Sequence, residues 1–309
     1  MTPGDQPRPK LSLRTRFHAW WEGYDAKPAP TEDGDAGESA ARPAPQQGLD
    51  RHGRPLWTAT RVEVAETLWG QGFTTPGGEE YAQHLARPLG LNPAMSVLDV
   101  GAGLGGFCRS IAQKPGCWVV GLEAAPVLAK MGMERSAAAE LAKKAPIRPF
   151  DPEKFTYDKR VDAIFCRQTL FTVAHKEQFF DTLEGQLKPR GQALMTDYVL
   201  DPQAKLTALE AWAANEPQEP YLWTARDASE AFTQRNLDLR IAEDLTDDHR
   251  TQILTGLNAF TQHLATCSMD RQTKAHVLEE IELWARRVKA FSQGLRFYRF
   301  HAIKPNSEG

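Results

Sequence analysis

Residues 97–106, VLDVGAGLGG, set an acid just ahead of three alternate glycines, Gly101, Gly103 and Gly105. The apolar run VLDV has the character of a buried strand. Glycines after it let the chain turn tightly and approach a ligand with no Cβ in the way. Such a turn, opening a helix, also suits a dinucleotide. The turn reads GxGxG, but with Gly106 it also fits the GxGxxG of a dinucleotide site, so the glycines alone do not tell the cases apart. The acids do, since they follow strand after strand: Asp99 before the turn, Glu123 at the end of WVVGLE, and Asp151 just past APIRPF.

An ordered set of carboxylates suits a cofactor that carries no phosphate. S-adenosylmethionine offers an amino group, a ribose diol and an adenine amine, and a carboxylate can accept from all three. Glu123 is placed for the ribose hydroxyls, Asp151 for the adenine amine, and Asp99 for the methionine amino end or the loop beneath it. The residues themselves therefore point to a cofactor site of Asp99, Gly101, Gly103, Gly105, Glu123 and Asp151.

The elements that must hold these residues alternate in type. MSVLDVG, WVVGLE, APIRPF, VDAIFCR and QALMTDYVL are strands, separated by helices near 107–112, 127–144 and 175–187, the last closed by the turn LKPRG. Helical stretches through Val62, Val64, Leu68 and Trp69 and over 79–89 precede them. Beyond Asp201 helices are expected near 203–214, 226–236, 248–265 and 272–291, with two further strands, LRIAED and LRFYRFHAIK. Alternating strands and helices of this length predict a largely parallel sheet with helices on both faces. The apolar stripe of Val277, Leu278, Ile281, Trp284, Val288 and Phe291 is a core-facing helix side.

Composition bounds the rest. The 309 residues carry 37 basic and 40 acidic side chains, a formal charge of −3, with 25% charged and 41% apolar residues. That balance excludes a wholly disordered chain and lacks the basic excess of a nucleic-acid binder. No apolar run reaches membrane-spanning length, and MTPGDQPRPK lacks the apolar core of a secretory signal. The four cysteines are scattered without a CxxC pair, which reads as reduced thiols in a cytoplasmic protein and as no metal site. Residues 1–55 are rich in proline and small polar residues and are expected to be a mostly disordered extension. Within it, Leu13, Phe17, Trp20, Trp21 and Tyr24 recur at helical spacing over 11–24. That short amphipathic helix would contact its own domain, a partner protein or, peripherally, a membrane surface.

Residues 56–305 resemble the class I S-adenosylmethionine-dependent methyltransferases, and most of all the phosphoethanolamine N-methyltransferases. The resemblance rests on GQGFTTPGG ahead of VLDVGAGLGG, on FCRQTL, LKPRGQALMTDY and EDLTDDHR, and on RRVK in the last helix. It implies a Rossmann-like α/β fold with a seven-stranded sheet, an N-terminal helical lid and a helical insertion before the last strand. Residues 56–95 would be N-terminal helices, 96–200 the cofactor core, and 201–305 substrate-side helices and the last strands. It adds Thr75 and Arg167 to the cofactor residues, and it implies a substrate site including Trp57, Gln168, Thr172, Tyr198, Tyr221 and Arg287.

Departures from the family fall where chemistry is expected. The family manages the amine proton with a Tyr–His pair, whose positions here hold Trp57 and Thr172. Gln168 stands at the family's acid, and the phosphate-gripping base near Tyr221 is replaced within NEPQEPY. An ammonium must lose its proton before it attacks, so a missing base matters. His175, one turn beyond Thr172, and Tyr198 are the remaining candidates for that role. Trp57, Trp69, Trp223 and Trp284, with Phe73, would make an apolar site. The expectation is therefore a methyltransferase for a small or lipid-like substrate other than phosphoethanolamine. The alternative is a catalytically quiet cofactor-binding regulator or scaffold at a membrane or partner.

Overall fold

The computed structural model describes residues 48–306. The expected amphipathic helix at 11–24 lies outside them. Residues 48–55, grouped by composition with the extension, form a turn closed by a Leu49–Pro55 bridge. Arg51 ties this turn to the domain, its amide donating to Pro217 O and its guanidinium to Ala213 O.

Seven strands form one sheet in the order β3-β2-β1-β4-β5-β7-β6. They are β1 (Ser96–Val100), β2 (Trp118–Glu123), β3 (Ile147–Pro149), β4 (Val161–Arg167), β5 (Leu187–Leu200), β6 (Asp238–Asp244) and β7 (Leu295–Ile303). The first five run parallel, and β7 lies antiparallel to both β5 and β6. The β1-β2 and β1-β4 registers, Val100 opposite both Leu122 and Cys166, bring the ends of these strands level. Their carboxyl ends are where an open α/β sheet binds its ligands.

The helices are α1 (Ala59–Trp69), α2 (Gly78–Ala86), α3 (Gly106–Gln113), α4 (Pro126–Ala138), α5 (Lys176–Gln186), α6 (Glu210–Ala213), α7 (Ala225–Gln234), α8 (Thr246–Leu264) and α9 (Arg271–Phe291). Alternation along β4 explains why both faces are covered. Ile164 and Cys166 enter a core with Phe179 and Phe180 of α5 and Phe232 of α7. Phe165 points the other way and stacks on Phe107 of α3, ring centres 4.3 Å apart. The long α8 and α9 pack with α1 and against β7.

Local differences from the sequence expectations have physical causes. The helix expected to 144 stops at Ala138, because Glu140 takes a positive φ of 60° and the chain heads toward Pro146. The turn LKPRG lies inside β5 as an excursion with Arg190 at φ 64°, so pairing jumps from Val161–Leu187 to Ala163–Gln192. The helix expected over 203–214 shrinks to a 3-10 turn at Leu206–Leu209 and the single turn α6. All four cysteines are free thiols, three of them buried. Among the described residues no group of side chains could hold a metal ion, and no helix is long and apolar enough to cross a membrane.

Candidate functional site

The glycine turn wraps over the end of β2. Gly101 and Ala102 both donate to Leu122 O, and Gly103 donates to Glu123 Oε2 at 2.7 Å. Gly101 sits at φ 81°, and a Cβ there would stand 2.0 Å from the Thr169 hydroxyl, in the loop after β4. Only glycine lets those two loops approach so closely. The loop GQGFTTPGG meets the turn directly: Gly106 donates to Gly72 O at 3.1 Å, and Phe73 lies against Gly106. Thr74 reaches Gly103, while Thr75, half-buried, is on the same loop.

Three of the predicted acids take different environments. Asp99 is fully buried; its Oδ2 accepts from the Cys108 thiol at 3.2 Å and lies 3.6 Å from the Arg167 guanidinium. Burial holds its pKa above the usual carboxylate range despite Arg167. Its Oδ1 has no partner, and neither does Arg167 Nε. Arg167 is packed over the rings of Phe107 and Phe165. Glu123 is buried, with Oε2 on the Gly103 amide and Oε1 on the Ala125 amide at 2.8 Å. Burial raises its pKa, while those amides favour the charged form. Asp151 is exposed beyond β3, capping the turn Pro152–Lys154 through the Glu153 amide.

These groups fit S-adenosylmethionine. Glu123 accepts backbone amides on both oxygens and still has lone-pair capacity for a diol. The orphaned Asp99 Oδ1 is a buried acceptor of the kind that calls for a donor.

On the neighbouring strands the loop after β4 is held by β5. Asp197, buried, accepts from the amides of Thr169 (2.9 Å), Leu170 (2.7 Å), Phe171 (3.2 Å) and Tyr198 (2.7 Å). Gln168, at φ 49°, donates its amide to Thr196 O and presents Oε1 3.5 Å from the Tyr198 hydroxyl. Tyr198 is buried, its hydroxyl 3.0 Å from His249 Nε2. His249 is stacked on Phe297, ring centres 3.8 Å apart, and Nδ1 has no partner. Burial, with the nearby Arg287 charge, lowers its pKa to about 3, and burial raises that of the Tyr198 phenol.

The remaining predicted residues divide into two sets. Arg287 comes to this place, 5.3 Å over the Tyr198 ring and 5.8 Å over that of Phe171. Tyr221 is joined to it through its amide on Phe171 O. Thr172 is nearby but spends its hydroxyl on Thr169 O. His175 is elsewhere: its side chain is 77% exposed and bonds Glu153. Trp57 packs beside Leu104 and under Arg61. The predicted tryptophans pack in different places. Trp69 meets Trp284 edge-on between α1 and α9, and Trp223 stacks on Phe180 within the core.

Four residues of this region were not singled out from sequence. Asp197 adjoins Tyr198 and could have been found as an acid at a strand end. His249 lies within EDLTDDHR, one of the segments that carry the resemblance, while Lys176 carries no local signal. Lys176 is buried under the Tyr221 and Trp223 rings, and burial lowers its pKa to about 8. Glu216 lies in NEPQEPY and pairs with Arg287.

A methyltransferase domain model matches residues 73–240, more than half of the chain. The chain is 27% identical over 208 residues to phosphoethanolamine N-methyltransferase 1 of Zea mays, covering 67% of this chain and 41% of that protein. The enzyme of Plasmodium falciparum (isolate 3D7) is 27% identical over 202 residues, 62% of this chain and 71% of its own length. The chain thus spans less than half the length of the maize relative. Among solved structures, Haemonchus contortus phosphoethanolamine N-methyltransferase 2, in complex with phosphomonomethylethanolamine and S-adenosylhomocysteine, superposes with a TM-score of 0.71. Its identity is 20%, over 81% of this chain and 59% of that one. With the sheet order, the glycine turn and the acid at the end of β2, the match places the chain in the methyltransferase domain family of class I, S-adenosylmethionine-dependent enzymes.

Proposed function

We propose that this chain methylates a small or lipid-like acceptor whose attacking atom has no proton to lose at neutral pH, and that phosphoethanolamine is not its substrate. When bound, S-adenosylmethionine supplies an electrophilic methyl group. Glu123 would accept the ribose hydroxyls, and Asp99 and the glycine turn would hold the methionine end. Asp151, exposed beyond β3, is the candidate for the adenine amine. In-line transfer then depends mainly on position, which Tyr198, Gln168 and the loop pinned by Asp197 would provide.

The single observation that carries the reading is the state of the Tyr198–His249 pair. It is the nearest thing to a base beside Gln168, yet burial keeps the phenol protonated and the imidazole uncharged. Neither member readily stores a proton taken from an ammonium, whose pKa is near 10. Other groups are spent: Thr172 on Thr169 O, His175 on Glu153 at the surface, Lys176 on Val173 O, and Asp197 on four amides. A nucleophilic carbon, an already neutral nitrogen, or an ionised oxygen or sulfur needs no base to free its electron pair before it attacks.

Release of S-adenosylhomocysteine, measured against a panel of those four acceptor types alongside primary amines, tests the reading. Turnover confined to the primary amines would overturn it.

A further inference from the structure

We propose that Glu216 is the specificity-determining residue of this site: it occupies, from within the chain, the position at which Arg287 would bind an anionic substrate group. The inference rests on the reading above and deepens it, because it removes phosphate and carboxylate from the end of the acceptor that meets Arg287.

Arg287 lies beside Tyr198 and Phe171, at the carboxyl ends of β4 and β5, and 4.6 Å over Trp284. A guanidinium ringed by aromatics and shielded from water is a strong fork for a phosphate or carboxylate. Here the fork is already taken. Arg287 Nε donates to Glu216 Oε1 at 3.1 Å and Nη2 to Oε2 at 2.7 Å, with both residues buried. The next acid, Glu280, is committed elsewhere, with Oε1 on Arg61 Nε at 2.8 Å and Oε2 on Trp284 Nε1 at 3.1 Å. The charges thus pair off, the half-buried Arg61 with the buried Glu280 and the buried Arg287 with the buried Glu216.

Glu216 is also held in place. It follows the helical turn α6, its amide donates to Ala213 O, and Pro217 comes next. From outside, Arg51 clamps the same segment through Pro217 O at 2.9 Å and Ala213 O at 2.5 Å. Downstream, Tyr221 anchors it to Phe171 O at 2.6 Å. A carboxylate tethered this way competes at a high effective concentration, so a free anion at millimolar levels does not displace it. Removing its charge would leave Arg287 buried and unpaired, a state that recruits an anion.

The test is a calorimetric and 31P NMR titration of the full chain, loaded with S-adenosylhomocysteine, using inorganic phosphate and phosphoethanolamine. The unmodified protein should show no saturable binding. Glu216→Gln should bind either anion one to one, at least about 10-fold more tightly than the weakest binding the titration of the unmodified protein could have detected, the gain expected of a charge-assisted fork. Adding Arg287→Met should abolish that gain. If Glu216→Gln does not fold, Glu216→Asp makes the same test, because the shorter acid no longer spans both guanidinium nitrogens; its gain should be smaller but present. A folded, cofactor-binding variant with no gain would overturn the inference and leave the proposed function standing. Binding by the unmodified protein that Arg287→Met removes would also overturn it. Methylation of phosphoethanolamine by the unmodified protein is a separate result, and it would sink the functional reading.

Discussion

The Tyr198 hydroxyl and His249 Nε2 stand 3.0 Å apart, joining β5 to α8 inside the substrate-side core. His249 is 1% exposed and faces Phe297, Trp284 and Phe291 as well as Tyr198. An imidazole so enclosed is neutral in the folded protein and free to charge only on unfolding.

A pH signature follows from that enclosure. The folded pKa, lowered to about 3, lies below the ordinary 6.5. Its contribution to stability is therefore present above about 6.5 and is lost as pH falls toward 3. The buried Asp197, raised to about 6, slopes the opposite way between about 4 and 6 and masks it in the total. Comparison with His249→Gln isolates the histidine. The unfolding free energy of the unmodified protein minus that of the variant should rise by about 1.4 kcal/mol per pH unit from pH ~4 to ~6.5, then level off. Urea titrations at a series of pH values measure it, and a flat difference would refute the account of His249.

Cofactor binding should depend on Glu123. Replacing it with alanine would remove the proposed diol acceptor and also release the Gly103 and Ala125 amides. The expected loss is about 1.5–3 kcal/mol, or roughly 10- to 150-fold in affinity for S-adenosylmethionine. Unchanged affinity by calorimetry would remove the end of β2 from the site.

Two glycines should respond in opposite directions. Gly101→Ala places a methyl against Thr169 at positive φ and should cost about 1–3 kcal/mol, with weaker cofactor binding. Gly185, inside α5, has open space where a Cβ would go. Gly185→Ala should be stabilising by about 0.5–1 kcal/mol. Chemical denaturation of the two variants provides the check; equal effects would mean that the Gly101–Thr169 approach is not required.

Much of the cofactor half was legible because its signals are local. A strand, a glycine turn and an acid at the next strand end sit within residues 97–123, and the structure joins them through Gly103 and Glu123. The substrate half was less legible because its pairings are tertiary. Tyr198 meets His249 across 51 positions, and Arg287 meets Glu216 across 71. An acid in NEPQEPY looks like any solvated acid until α9 brings a guanidinium to it. The tryptophans show the same limit: composition counted apolar rings but could not say that Trp69 and Trp284 face each other between helices. Helix ends moved where backbone geometry intervened, as at Glu140.

The central claim is that this site has no base able to take the proton of a protonated amine. The most direct measurement is transfer of labelled methyl from saturating S-adenosylmethionine to phosphoethanolamine by the unmodified full chain, from pH 6 to 9. A positioned base typically contributes about 10²- to 10⁴-fold, so transfer should stay at the level of the enzyme-free blank at neutral pH. Sustained turnover to the trimethylated product at pH 7 would contradict the claim and direct attention to Lys176, whose lowered pKa makes it the next group to mutate.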